Sequence, residues 1–129
     1  MSKELKTPKL GRVQLQIMQV LWSKGGATAR EITDELNRQS RNPIAHSTVQ
    51  TLLRKLEEKG AVTHQLQGRT FVFCAMHDES EVATSATHDL LSRVFHSSVS
   101  GLVAHLLKHE TISDEEMARL RQLIEEAKP

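Results

Sequence analysis

The stretch from Ile44 to Gly60, IAHSTVQTLLRKLEEKG, sets His46, Ser47, Thr48, Gln50 and Thr51 within six positions at the front of a helical pattern. All five are short hydrogen-bonding side chains, where Lys and Glu are the ordinary choice for a solvated surface. Their chemistry suits the edges of bases. Ser and Thr hydroxyls donate or accept, a Thr methyl meets the methyl of thymine, and Gln pairs bidentately with adenine. Arg54 and Lys55, a turn or two later, suit phosphate oxygens, as does Arg69 in the turn Gln67-Gly68-Arg69. The plainer alternatives are that the hydroxyls cap the helix and that Arg69 is a solvated turn residue.

Other reactive groups form no recognisable constellation. His105 and His109, four apart on a helix, could share an ion, but no cysteine or carboxylate at helical spacing completes a set. No metal site and no cofactor is expected. His88 and His96 have no partner spacing. The single Cys74 excludes an intramolecular disulfide and any zinc site of paired cysteines, and reads as a small buried hydrophobe. The chain has no Gly-rich phosphate loop, no HExxH and no nucleophile elbow, so no enzyme is expected.

Three helices and a hairpin must position these residues. Leu10, Val13, Ile17, Val20 and Leu21 recur at helical spacing up to Lys24-Gly25-Gly26, where glycine can close the helix. Thr28 and Glu31 make the capping box of a second helix, whose narrow stripe is Ile32 and Leu36 and which NRQSRNP ends. In the third, Val49, Leu52, Leu53 and Leu56 turn inward and leave the short polar residues outward with Arg54, Lys55 and Glu58. After Gly60 the period drops to two. AVTHQLQGRTFVF predicts a two-stranded hairpin whose second strand runs from Thr70 to Cys74, with Phe71 and Phe73 as apolar cover for the helices. Residues 1–9 read as frayed. This is the outline of a winged helix-turn-helix, mainly α with a small β-hairpin, in which the third helix enters the major groove.

Charge divides the chain at the same place. Residues 1–77 carry 12 Lys and Arg against 6 Asp and Glu, while residues 78–129 carry 5 against 10. A basic half suits a polyanion; the acidic half must do something else. We therefore expect a DNA-binding domain at 1–77 and a helical dimerisation domain at 78–129. In the latter, Leu91, Val94, Leu102 and Leu106 fall at helical spacings, and a Ser113–Glu116 capping box opens a last helix with Met117, Leu120, Leu123, Ile124 and Ala127 as its stripe. Some 50 residues are near the lower limit for an independent core, so a second copy is the expected cover. A homodimer also presents two reading helices to a two-fold symmetric DNA site. The competing possibility is that this segment packs back on its own first domain. No apolar run approaches the ~20 residues of a membrane span, and MSKELKTPKLGR has no signal-like apolar core, so a cytoplasmic protein without a membrane partner is expected.

The run from STVQTLLRKLEEKGAV through GRTFVF to DES, closing with SDEEMARLRQLIEE, resembles the penicillinase-repressor family, the BlaI/MecI/CopY transcriptional regulators. Weaker similarity begins near QIMQVLW and TAREITDEL. The resemblance implies a homodimeric repressor with a winged-helix N-terminal domain, bound to inverted-repeat operators that often contain TACA and TGTA half-sites. It implies that Thr48 and Thr51 read bases, that Lys55 stands at a basic position of the same helix and that Arg69 is the arginine of the wing. His105-Leu106 stands where beta-lactam-responsive members carry a cleaved Asn-Phe bond, and no cysteine pair stands near the C-terminus as in copper-responsive members. His46 stands where many relatives have Tyr. The inducer, and any sensor or protease partner, are therefore left open. Two other readings remain: a winged-helix module that binds an acidic protein, and a ligand-responsive regulator without the proteolytic switch.

Overall fold

The computed structural model describes residues 7–128; most of the N-terminal stretch expected to fray lies outside them. The described residues form α1 (Arg12–Lys24), β1 (Ala27–Thr28), α2 (Ala29–Gln39), α3 (His46–Glu58), β2 (Val62–Gln67), β3 (Thr70–Ala75), α4 (Glu79–Val94), α5 (Val99–His109) and α6 (Asp114–Glu126). The chain divides into two compact units, one up to Thr87 and the other from His88, and α4 runs through that boundary. No single helix among the described residues is long and apolar enough to cross a membrane.

In the first unit α1, α2 and α3 close on a core in which Ile17, Met18, Leu21, Ile32, Val49, Leu53 and Leu56 are fully buried. The expected inward faces are thus realised, except that Leu10, Val13 and Leu52 are only half-buried. α1 stops at Gly25, whose φ of 77° lets its amide turn back to the Leu21 carbonyl at 2.8 Å. The Thr28–Glu31 box forms in both directions, at 2.9 and 3.1 Å. A second such box, Asp78 with Glu81, starts α4.

The sheet has three strands rather than two. Its order is β1-β3-β2, all antiparallel, with Ala27 opposite Phe73 and Val62 opposite Ala75. The hairpin turn is Gly68-Arg69 alone, since Gln67 still pairs with Thr70, and β3 continues to Ala75. Gly68 at φ 64° supplies the left-handed residue that two-residue hairpins need. The expected apolar cover is only partly realised. Phe73 and Ala75 pack against the core, but Phe71 is 50% exposed, because it borders an open cleft between the hairpin and α3.

In the second unit none of the residues of α5 and α6 is buried, nor is any in α4. Two consecutive left-handed residues, His96 (φ 52°) and Ser97 (φ 63°), make the corner after α4. The Ser97 amide reaches back to the Leu91 carbonyl at 2.8 Å, and Ser98 Oγ accepts from the Gly101 amide at 2.9 Å to cap α5. Ser113 Oγ caps α6 by accepting from the Glu116 amide at 3.0 Å.

Candidate nucleic-acid interface

α3 begins without using its hydroxyls. Its N-cap is Ala45, which has no side chain to offer, and neither Ser47 nor Thr48 caps the helix. What holds the start of α3 is Asn37 at the end of α2. Its Oδ1 accepts from the Ile44 amide at 2.7 Å and its Nδ2 donates to the Ile44 carbonyl at 3.0 Å, clamping the turn between the two helices. With Val49, Leu53 and Leu56 buried beneath, Ser47, Thr48, Gln50, Thr51, Arg54 and Lys55 are exposed, and His46 is half-buried.

These residues form two stripes. His46, Gln50 and Arg54, at four-residue intervals, line a groove of about 580 Å³ between α3 and the hairpin, and Arg69 lines it from the other side. Ser47, Thr48, Thr51 and Lys55 lie outside that groove, further round the same exposed surface. Thr51 Oγ1 donates its hydrogen to the Ser47 carbonyl at 3.0 Å. Its oxygen lone pairs and its methyl remain for an outside partner, so in this rotamer it accepts but does not donate.

The third wall of the groove is the first turn of α2, with Thr28, Ala29 and Arg30. Sequence reasoning missed Arg30, because in one dimension it is an ordinary solvated residue of the first turn of a helix. The groove thus gathers Arg30, Arg54 and Arg69 from three separate elements. Glu57 is the one acidic residue in its lining among the described residues, and it is paired to His64 at 2.7 Å. Lys59, by contrast, is occupied elsewhere: its Nζ donates to the Lys9 carbonyl at 2.9 Å and to Gln14 Oε1 at 3.1 Å.

Of the residues expected to dimerise, Leu91, Leu102, Met117 and Leu120 are half-buried within their own chain. Val94, Leu106, Leu123 and Ile124 are exposed, as are Val99, Val103 and Leu107. Between α5 and α6 lies an apolar groove of about 500 Å³ lined by Val103, Leu106, Leu107, Ile112 and Leu120, with Glu110 and Glu116 among its polar residues. The rings of His105 and His109 stand 4.3 Å apart, with Phe95 edge-on to His105 at 5.5 Å. Among the described residues no group of three or more His, Cys, Asp or Glu could hold a metal ion.

Residues 10–126 match the family model described as penicillinase repressor. The chain is 32% identical over 123 residues to the penicillinase repressor of Bacillus licheniformis, covering 95% of this chain and 94% of that one. The solution structure of the DNA-binding domain of the repressor BlaI is 33% identical and superposes with a TM-score of 0.51, covering 60% of this chain and 93% of that one. A second solution structure, of monomeric Bacillus licheniformis BlaI in complex with the blaP half-operator, is also 33% identical, with a TM-score of 0.50 and coverage of 58% and 89%. By sequence over nearly its whole length, and by fold over about 60% of it, this chain belongs to the penicillinase-repressor family.

Proposed function

We propose that this protein is a transcriptional repressor that binds double-stranded DNA by sequence and acts by occupying promoter DNA. The observation that carries this is the exposed N-terminal face of α3. Its Ser47, Thr48, Gln50 and Thr51 are not consumed by capping and stand beside a groove edged by three arginines. Short acceptors and donors can enter a major groove and read base edges; the arginines suit the phosphates that fix register. That a 33% identical domain has been solved with a half-operator supports the same assignment.

The division of labour we propose is DNA binding at 1–77 and self-association at 78–129. Nothing in α4–α6 is buried within one chain, which supports a second copy as the missing cover. A two-fold dimer would present two α3 helices to an inverted repeat about a helical turn between half-site centres. The basic residues on the first unit imply affinity that falls steeply with salt. The test is selection of the purified protein on a random double-stranded library. Enrichment of an inverted repeat supports the dimeric repressor. Retention that disappears at moderate salt without any enriched sequence reduces the face to a nonspecific basic surface and refutes the reading.

A second reading, a ligand-responsive regulator, is favoured by the 500 Å³ apolar groove between α5 and α6, a volume that suits a small molecule. It requires release from DNA on adding a compound without any change of mass.

A further inference from the structure

We propose that His64 is a positioning residue that sets the angle of the hairpin against α3 and, through it, the reach of Arg69; this rests on the DNA-binding reading above. His64 lies on the hairpin face turned toward α3, directly opposite Phe73. Its Nδ1 donates to Glu57 Oε1 in the last turn of α3 at 2.7 Å, because a carboxylate oxygen can only accept. Its ring stands 4.6 Å from that of Phe71 and 5.6 Å from that of Phe73, so one side chain grips the helix and both aromatic residues of β3.

Along that face cover is lost outward. Val62 is buried, His64 is partly covered, and Leu66 and Phe71 are 62% and 50% exposed. Among the described residues, no side chain of the hairpin beyond His64 forms a hydrogen bond to α3, and past Val72 β2 and β3 continue paired only with each other to Gly68-Arg69. Three or four strand residues make a lever of about 12 Å. A swing of ~15° at the tether displaces the tip by ~3 Å, enough to break a phosphate hydrogen bond. The tether therefore decides whether Arg69 and α3 engage one duplex together. The aromatic contacts and the carboxylate bond divide the task, the first holding the ring in place and the second directing it.

Two measurements test this. In the DNA-free protein, His64→Ala should speed amide hydrogen exchange about tenfold from Leu66 to Thr70 while Leu53 in the core keeps its protection, and His64→Asn, which retains a donor near Nδ1, should restore much of it. Unchanged exchange at the tip overturns the tether. On a mixed-sequence duplex of about two helical turns in ~50 mM salt, Arg69→Ala and His64→Ala should each weaken binding by about fivefold, and the double variant no further. A double variant weaker by the product of the two, or a harmless Arg69→Ala, shows that His64 does not act through Arg69. If the wild-type protein binds no duplex at all, the DNA reading falls and takes the role of Arg69 with it, while the exchange measurement still reports on the tether.

Discussion

Leu123→Asp should convert a dimer into a monomer, and the structure sets the size of the effect. Leu106, Leu107, Leu123 and Ile124 are 42, 46, 44 and 60% exposed. Covering a whole side chain of this kind is worth about 1.5–3 kcal/mol, so covering the exposed half is worth about 1 kcal/mol. With Val94 and Val99 added, two protomers would gain about 12 kcal/mol from apolar contact. Association itself costs roughly 4–15 kcal/mol, so these contacts leave at most about 8 kcal/mol, a dimer no tighter than about micromolar. In a two-fold interface each substitution counts twice. Losing two leucines removes about 2 kcal/mol, and placing two carboxylates in an apolar seam costs at least ~1–3 kcal/mol more. At 1.4 kcal/mol per tenfold, dissociation should rise by about 10²–10⁴-fold. Sedimentation equilibrium at tens of micromolar should then give a mass near 14.5 kDa for the variant and one approaching twice that for the wild type. The control is Arg121→Ala, an exposed residue of the same helix outside the apolar stripe. Should Leu123→Asp keep the doubled mass, α6 does not lie in the interface; should the wild type be monomeric, the exposed face has another purpose.

Thr51→Ala should relax base preference at one or two positions by about 1 kcal/mol, measured by competition between operator variants. Because the Thr51 hydrogen is already given to Ser47, the preference lost should be for a thymine methyl or a base-edge donor and not for guanine. Arg30→Ala and Arg69→Ala should weaken all sequences alike and each lower the slope of log affinity against log salt by about 0.9. An unchanged slope for Arg30→Ala removes α2 from the interface. Leu53→Ala should cost about 2–5 kcal/mol of stability in urea unfolding, and Leu52→Ala less than half of that, since the first is fully buried and the second is not. Equal losses would mean that α3 is rotated from the orientation described.

Periodicity made the faces of the elements legible, and the turns decide how far apart those faces stand. Val49, Leu53 and Leu56 had to face inward because no other arrangement buries them, and that alone exposed Ser47, Thr48 and Thr51. β1 was hidden because two residues have no period. It exists because Gly26, at φ 149°, takes a backbone conformation that residues with a Cβ rarely adopt and leads the chain onto β3; the space itself would admit a Cβ, at 3.4–3.6 Å from Cys74, Phe73 and Val72. Arg30 became part of the groove by that same step, since β1 pairs with β3 and delivers the first turn of α2 beside the hairpin. Alternation put Phe71 and Phe73 on one face but could not say that an open groove lies between Phe71 and α3. The stripe of α6 was as legible as that of α3, yet the same chain covers Val49, Leu53 and Leu56 of α3 fully and only half-covers Met117 and Leu120 of α6. A stripe records that burial is required and is silent about which molecule supplies it. Within the first unit the residues that decide the site are consequently few and small: Gly26 brings Arg30 to the hairpin, Asn37 clamps the start of α3, and Gly68 turns Arg69 back. A change at any of the three should alter DNA binding more than it alters the core, because each fixes a distance between faces and buries almost nothing itself.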